Sequence, residues 1–289
     1  MTLAAFALAS LETHRAMTST TSRPIRRLPG SVEAAPRQLA ASLALLGGVE
    51  SGGPPAMRWY TVDPPALILG SSQRPDEVNE AARQALGAHV YRRSSGGGAV
   101  FTTQQLGLDV ALPAADPLLP TDITESYRWL GEVWIAALAG LGVQGQIVTV
   151  TEARASIQTL SPTLKRICYA GLSPYEVVVD GRKLVGLAQR RRRGGALYQS
   201  GVYLHWSPDA TAALMSTNDD AATIAAQLGR RVVGLDTVSP PPAPTAERVI
   251  QAFEAALAGH AGLRPTPAEW TSAEGQARAE FAEAIPALL

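Results

Sequence analysis

Cysteine is almost missing from this 289-residue chain: Cys168 is the only one. An internal disulfide and a cysteine-rich zinc site are therefore excluded, and a reducing compartment suits the chain. The four histidines, His14, His89, His205 and His260, have no metal-ligand spacing, so no metal site is expected. Neither sign of charge is in excess, with 25 Lys and Arg against 25 Asp and Glu. Without a global field, neither nucleic acid nor an anionic membrane is an expected partner, and electrostatic recognition has to come from local patches. No apolar run approaches the roughly eighteen residues that cross a bilayer. What the chain does have is 46% hydrophobic residues against 17% charged ones. That is enough for a sizeable core and too apolar for global disorder.

The first residues carry little pattern. Leu3–Ala9 is apolar but short, lacks a preceding basic residue and runs into Glu12 and His14, which makes a poor secretory signal. A second methionine, Met17, offers an alternative start. Residues 1–27 read as a loosely ordered extension and 28–238 as the main domain. The run Ser239-Pro240-Pro241-Pro242-Ala243-Pro244 marks a boundary, and 239–289 reads as a helical segment packed on the same domain. A cytoplasmic location is expected.

Ser31 is placed to cap a helix over Val32–Leu46, with Leu39, Leu43 and Leu46 at helical spacing. Strands are expected at Met57–Val62 and Ala66–Leu69, then a helix from an Asp76 cap to Leu86 with Gly87 as its stop. His89–Arg92, Ala99–Phe101 and Leu106–Leu112 read as extended. The longest helical pattern, Thr121-Asp122 to Leu141, lines up Tyr127, Leu130, Trp134 and Leu138. Val143–Val150 reads as a strand and Thr151–Arg166 as polar and weakly patterned. Asp180-Gly181 between Tyr175–Val179 and Lys183–Ala188 is a strong hairpin signal. A strand at Ala196–Trp206, a helix at Pro208–Met215, and helices at Ala246–Leu257 and Ala268–Ala284 complete the order. Adjacent strands between helices predict an α+β fold with a mixed, largely antiparallel sheet and flanking helices.

Four stretches carry chemistry. In Arg92-Arg93-Ser94-Ser95-Gly96-Gly97-Gly98, the three glycines let a backbone approach a ligand and turn its N–H groups toward an anion or carbonyl. Arg93 and Ser95 add a guanidinium and a hydroxyl, although a plain flexible hairpin loop reads the same way. The spacing is that of neither a Walker A loop nor a dinucleotide fingerprint. Lys183 reads either as an exposed strand lysine or as part of a site with the small-residue trough of Gly186 and Ala188. Its strand parity is opposite to theirs, and only a bulge would reconcile the two. Cys168 reads either as a small buried hydrophobe or, with Lys165 and Arg166 before it, as a thiolate nucleophile in a Cys-Lys acyl-transfer centre. Gln189-Arg190-Arg191-Arg192-Arg193-Gly194-Gly195 is a basic turn, a solvated hairpin tip or a docking patch for an acidic protein.

These motifs, in this order, resemble the lipoate–protein ligase A / biotin ligase superfamily from about residue 30 to 285. The stretch Arg92 to Phe101 resembles its glycine-rich motif, and Gly70-Ser71-Ser72-Gln73 the segment before it. Gly181-Arg182-Lys183-Leu184-Val185-Gly186-Leu187-Ala188-Gln189 resembles its lysine motif, whose lysine contacts an acyl carbonyl. Cys168-Tyr169 followed by Ser173-Pro174-Tyr175-Glu176-Val177-Val178-Val179 is most similar to the LipM-type octanoyltransferase branch. Three positions depart from the common pattern: Thr102-Thr103 where His-Asp is usual, Ser200-Gly201 where His-Gly is usual, and Leu187 where a small residue is usual.

The resemblance implies a biotin/lipoate ligase-like catalytic domain over 28–238, with Cys168 and Lys183 catalytic. It implies substrate contacts from Arg93, Ser95, Gly96, Gly97, Gly98, Gly186 and Ala188. The implied activity moves an octanoyl group from acyl carrier protein through a cysteine thioester to a lysine of a lipoyl domain or glycine cleavage H protein, with no cofactor. The alternatives are an ATP-dependent lipoate–protein ligase, which would need ATP and magnesium, and a non-catalytic binder of acyl- or lipoyl-carrying proteins.

Overall fold

The computed structural model describes residues 22–216 and 219–289. Most of the expected N-terminal extension, residues 1–21, lies outside them. Its last part is ordered, because Arg23–Arg27 forms strand β1 of the main sheet. After β2 (Ser31–Glu33) comes helix α1 (Ala35–Glu50). It starts three residues later than Ser31 predicts, because Ser31–Glu33 pairs with the next strand and Pro36 is the residue that suits a first turn.

β3 (Ala56–Val62) and β4 (Ala66–Leu69) fall where the sequence places them. The helix expected from Asp76 is a 3-10 turn at Pro75–Glu77 and then a short α2 (Glu80–Ala85), capped by the Asn79 side chain. β5 (His89–Arg92), β6 (Val100–Phe101) and β7 (Gln105–Pro113) follow, then α3 (Arg128–Gly140). The strand expected over Val143–Val150 shrinks to β8 (Gln146–Ile147). Thr149 and Glu152 form a reciprocal capping box that starts α4 (Val150–Gln158), and Ser161 caps the single turn α5 (Pro162–Lys165). Then come β9 (Val177–Val179), β10 (Arg182–Arg192), β11 (Gly195–Tyr203), α6 (Pro208–Met215), α7 (Ala221–Gly229) and α8 (Leu235–Val238). The chain ends with α9 (Ala246–Ala261), β12 (Leu263–Pro267) and α10 (Ser272–Glu283).

The main sheet runs β12-β1-β3-β7-β11-β10-β9-β8, with β2 beside β3; a second sheet runs β5-β4-β6. Pairing is antiparallel from β3 across to β8 and parallel at the β12-β1-β3 edge. The predicted α+β architecture with a mixed, largely antiparallel sheet is therefore the observed one. The expected all-helical segment after the proline run contains β12, which pairs with β1 and so belongs to the same sheet.

One face of the main sheet packs on α3 and α9 around Trp134, which is wholly buried between Trp59 and Phe253. Truncating a side chain of that size in a core costs about 3–5 kcal/mol. The other face carries α1, whose Leu45, Leu46 and Val49 cover Ala56, Ala111 and Leu197. α10 lies against α1 and is tied down by Glu274, which completes the capping box with Thr271 and receives Arg26 of β1 at 2.8 and 2.9 Å. A second core sits between the small sheet and α5, α6 and α7. The space left between the two sheets, beside the start of α1, holds the candidate site.

Candidate active site

Residues far apart along the chain meet here because two backbone stretches lock together. The amide of Ala99 donates to the Arg166 carbonyl at 2.7 Å, and that of Cys168 donates to the Ala99 carbonyl at 2.9 Å. Gly98 is what permits this approach, since a Cβ there would lie 2.6 Å from the Cys168 amide nitrogen. Gly97 is required for a different reason, its left-handed φ of +95°. Gln73 ties in the preceding segment by accepting from the Gly70 amide at 2.9 Å and donating to the Arg166 carbonyl at 3.0 Å. The glycine motif and the cysteine segment are therefore one structural unit.

Cys168 opens a 3-10 turn and is half-buried. It lines an apolar cavity that opens to solvent. Of the residues the sequence singles out, Arg93, Cys168, Gly186 and Ala188 line this cavity. So do Thr102, Leu187, Ser200 and Gly201, the positions that depart from the family pattern or adjoin one. Ser95 and Gly96–Gly98 are not in its wall. Among the described residues, the amides of Gly96, Gly97 and Gly98 make no intramolecular hydrogen bond and remain unused donors. The Arg93 guanidinium donates to the carbonyls of Ile68, Gly96 and Gly98 at 3.2, 2.8 and 2.7 Å and so staples the loop.

Lys183 is neither exposed nor in the cavity wall. It is 1% exposed and stands behind Cys168. The pairing of β9 with β10 slips by one residue between Lys183 and Val185, the bulge that the parity of Lys183 and Gly186 demanded. The ammonium donates to the Cys168 carbonyl at 3.2 Å, lies 5.3 Å from the Tyr169 ring centre and pairs with Glu176 at 2.7 Å. Glu176 is equally buried and also accepts the Ser173 and Leu187 amides at 2.7 and 3.2 Å. Burial pushes its carboxyl above the ordinary range, against the pull of Lys183 and of those two amides. The arginine of the pair Lys165-Arg166 turns away, donating to Thr163 and to the Met215 carbonyl. Tyr169 donates to the Gly201 carbonyl at 2.6 Å and accepts from Gln105 at 3.1 Å. Its hydroxyl is held well above its ordinary pKa by burial first, and then by the neighbouring Tyr203 and Cys168.

A buried polar network beside the cavity, of which Gln38 and Gln199 reach its wall, had no signal in the sequence, because its parts are far apart along the chain. Arg58 and Asp109, 1% and 0% exposed, pair at 2.7 Å across β3 and β7. Gln38 accepts from Arg58, and Ser42 and Gln199 donate to Asp109. Tyr60 lies over the guanidinium at 4.8 Å, and burial, followed by the charge of Asp109, raises its hydroxyl pKa. Ser200 accepts the Trp134 indole N–H at 3.0 Å, and Thr102 donates to the Ala66 carbonyl at 3.0 Å. The hydroxyls at two of the departing positions are thus spent on structure.

The basic turn is partly tied down. Arg190 donates to Ser94 of the glycine motif, Arg191 to the Thr121 and Pro120 carbonyls at 3.1 and 2.8 Å, and Arg192 faces Glu50 at 3.6 Å. Burial and the neighbouring Arg192 lower the Arg190 pKa.

The sequence matches the family model of the lipoyl protein ligase A/B catalytic domain over residues 35–258. It is 34% identical to the octanoyltransferase LipM of Kyrpidia tusciae, over 76% of this chain and 81% of that protein. With the octanoyltransferase LipM of Brevibacillus brevis it shares 28% identity, over 76% and 80%. Among solved structures it is similar to a bipartite lipoate protein ligase from Thermoplasma acidophilum, with a TM-score of 0.73, 20% identity, and coverage of 90% and 92%. A lipoate-protein ligase A bound with ATP gives 0.72, 18%, 90% and 94%. At those identities the structural likeness is one of fold.

Proposed function

Because this chain belongs to the lipoyl protein ligase A/B catalytic-domain family, we propose that it is an octanoyltransferase of protein lipoylation that works through a thioester on Cys168. The observation that carries the reading is the position of Cys168: half-buried, in the wall of an apolar cavity, and locked by its backbone to Ala99 at the end of the glycine motif. The substrates are of two kinds, an acyl-carrying protein as donor and a lipoyl-type domain as acceptor. Acyl carrier protein and the glycine cleavage H protein are the specific candidates, and the exposed guanidinium of Arg193 beside Arg192 offers them a cationic rim.

In the first step the Cys168 thiolate attacks the thioester carbonyl of the octanoyl donor. The new C–S bond forms, the donor's C–S bond breaks, and the donor thiolate takes up the proton Cys168 had released. In the second step the ε-amine of the acceptor lysine attacks the Cys168 thioester. A C–N bond forms, the C–S bond breaks, and the amine proton returns to the cysteine. Both steps build negative charge on the acyl oxygen, for which the amides of Gly96–Gly98 are the donors and the Lys183 ammonium a nearby positive field. Lys183 also fixes Cys168 from behind through its carbonyl. Arg93 contributes by holding the loop in shape. No cofactor enters this scheme.

Cys168→Ser, assayed with two donors, tests it. Octanoyl transfer from an octanoylated carrier protein to a lipoyl domain is expected to fall at least a thousandfold, with no labelling of that domain by lipoate and ATP in either protein. Retention of an ATP- and lipoate-dependent activity in Cys168→Ser would instead make the chain a ligase. Tight binding of the carrier with no turnover in the unsubstituted protein would make it a binder.

A further inference from the structure

Under the cavity runs a row of glycines in register, of which Gly186 and Gly201 reach its wall. Tyr60 pairs with Gly107, Gly107 with Gly201, and Gly201 with Gly186, so one level of the sheet crosses β3, β7, β11 and β10 with three residues that have no side chain. The vacant space is filled by two tyrosines lying flat. A Cβ on Gly107 would lie 2.3 Å from the Tyr60 ring, and one on Gly186 or Gly201 would lie 3.0 or 2.9 Å from Tyr169. The Tyr60 ring itself rests over Gly107, two strand spacings of about 4.8 Å from Gly186, so about 10 Å of sheet separates the ring from the end that Cys168-Tyr169 covers. Ala35, Leu39, Val62 and Ile68 give the Tyr60 end apolar walls, with Gln38 and Arg93 as polar groups near the tyrosine.

Beside this row, one level along the strands, the environment changes. The next level of the same face is Arg58, Asp109, Gln199 and Ala188 in register, and its first three members form the buried polar network. The Tyr60 ring rests on the Arg58 guanidinium and so separates an apolar channel from a buried ion pair. Displacing this ring would bring an acyl chain against a buried ion pair, for which hydrocarbon offers no compensation.

We propose that Tyr60, seated on Gly107 and backed by the Arg58–Asp109 pair, sets the length of acyl chain the enzyme accepts. The proposal rests on the cavity being the acyl site of the transferase reading. Its reacting end is at Cys168 and its stop is the Tyr60 ring. Gly107 has a defined part, because any side chain there would lift the ring from the strand and shorten the channel.

The test is a ladder of chain lengths read in two ways: calorimetric binding of free saturated fatty acids of six to fourteen carbons, and transfer from the matching acyl-carrier thioesters. Tyr60→Val removes the ring while keeping an apolar, strand-compatible cover, and Tyr60→Phe keeps the ring. The expected result is that Tyr60→Val moves the preferred length up by two or more carbons in both ladders. Each methylene newly admitted adds about fourfold to affinity, so the ratio of the twelve- to the eight-carbon acid rises at least tenfold. Tyr60→Phe keeps the original preference. An unchanged preference in Tyr60→Val, or an equal loss at every length in a protein that still melts cooperatively, overturns the proposal. Binding ladders that shift as expected while no variant, nor the unsubstituted protein, transfers any acyl group would leave the length stop standing and overturn the transferase reading instead.

Discussion

Replacing Glu176 by alanine removes the counter-charge of a lysine that has nowhere else to go. The side chains of Glu176 and Lys183 are 2% and 1% exposed, and they meet at 2.7 Å. Breaking a buried pair by deleting one partner costs about 3–5 kcal/mol, because the remaining charge stays in the interior uncompensated. The same substitution orphans the Ser173 and Leu187 amides, which the carboxylate also serves, so the loss should fall in the upper part of that range. Against a total stability on the order of 5–15 kcal/mol, this is a large fraction. Urea unfolding followed by tryptophan fluorescence measures it, with the midpoint moving at constant slope. The double variant Glu176→Gln/Lys183→Met removes the charges together and keeps an acceptor for one amide, so it is expected to regain most of the loss while remaining inactive in transfer. A Glu176→Ala loss below about 1 kcal/mol, the size expected of an exposed pair, would refute the buried placement of Lys183 behind Cys168. Full activity in the double variant would refute any part for Lys183 in the chemistry.

Other expectations follow from single contacts. Gly98→Ala places a Cβ 2.6 Å from the Cys168 amide, which is backbone and cannot rotate away. Acylation of the thiol should slow at least tenfold in a protein that still folds, and an unchanged rate would show that the glycine loop does not position Cys168. Ser200→Ala leaves the buried Trp134 indole N–H without its acceptor and should cost about 1–3 kcal/mol in chemical unfolding with little change in transfer rate. A collapse of activity without a stability loss would mean that this hydroxyl acts on substrate. For Glu274, burial opposes the charge, but Arg26 and Thr271 outweigh it and hold the carboxyl below its ordinary 4.5. A depressed folded value means that this contact's stabilisation is complete above pH 4.5 and is lost as the pH falls through the folded value. Hydrogen exchange in α10 should therefore accelerate in acid ahead of α3, and Arg26→Ala should remove the difference. Equal acid sensitivity of α10 in both proteins would argue against the clasp.

What the sequence made legible was local. Asp180-Gly181 announced a tight hairpin, and both residues have the positive φ of +49° and +72° that such a turn requires. Thr149 and Glu152 carry an equally plain capping signal for α4, within and just after the stretch Val143–Val150 that reads as a strand. β12 escaped notice because Pro265 and Pro267 argue against a strand, whereas an edge position beside β1 needs few of their missing donors. β1 was hidden for the same reason, with Pro24 and three arginines in five residues.

The site divides along the same line. Cys168, Lys183 and the glycine motif stand out as residue types in sequence, and the structure brings the first two within one hydrogen bond of each other. The role of Arg93 could not be read, since an arginine beside glycines looks alike whether it binds an anion or its own carbonyls. Glu176 was visible only as part of a motif until the bulge turned Lys183 onto it. The Arg58–Asp109 pair, with Gln38 and Gln199, is assembled from α1, β3, β7 and β11, and no spacing within the chain encodes that meeting.

The account stands on one sulfur atom, and intact-protein mass spectrometry tests it directly. After brief incubation with an octanoylated carrier protein and no acceptor, the chain is predicted to gain one octanoyl group. The adduct should be labile to neutral hydroxylamine, localised to Cys168 by peptide mapping, absent from Cys168→Ser, and discharged when a lipoyl domain is added. A chain that transfers octanoyl groups in multiple turnover yet never carries one on Cys168 would contradict the account.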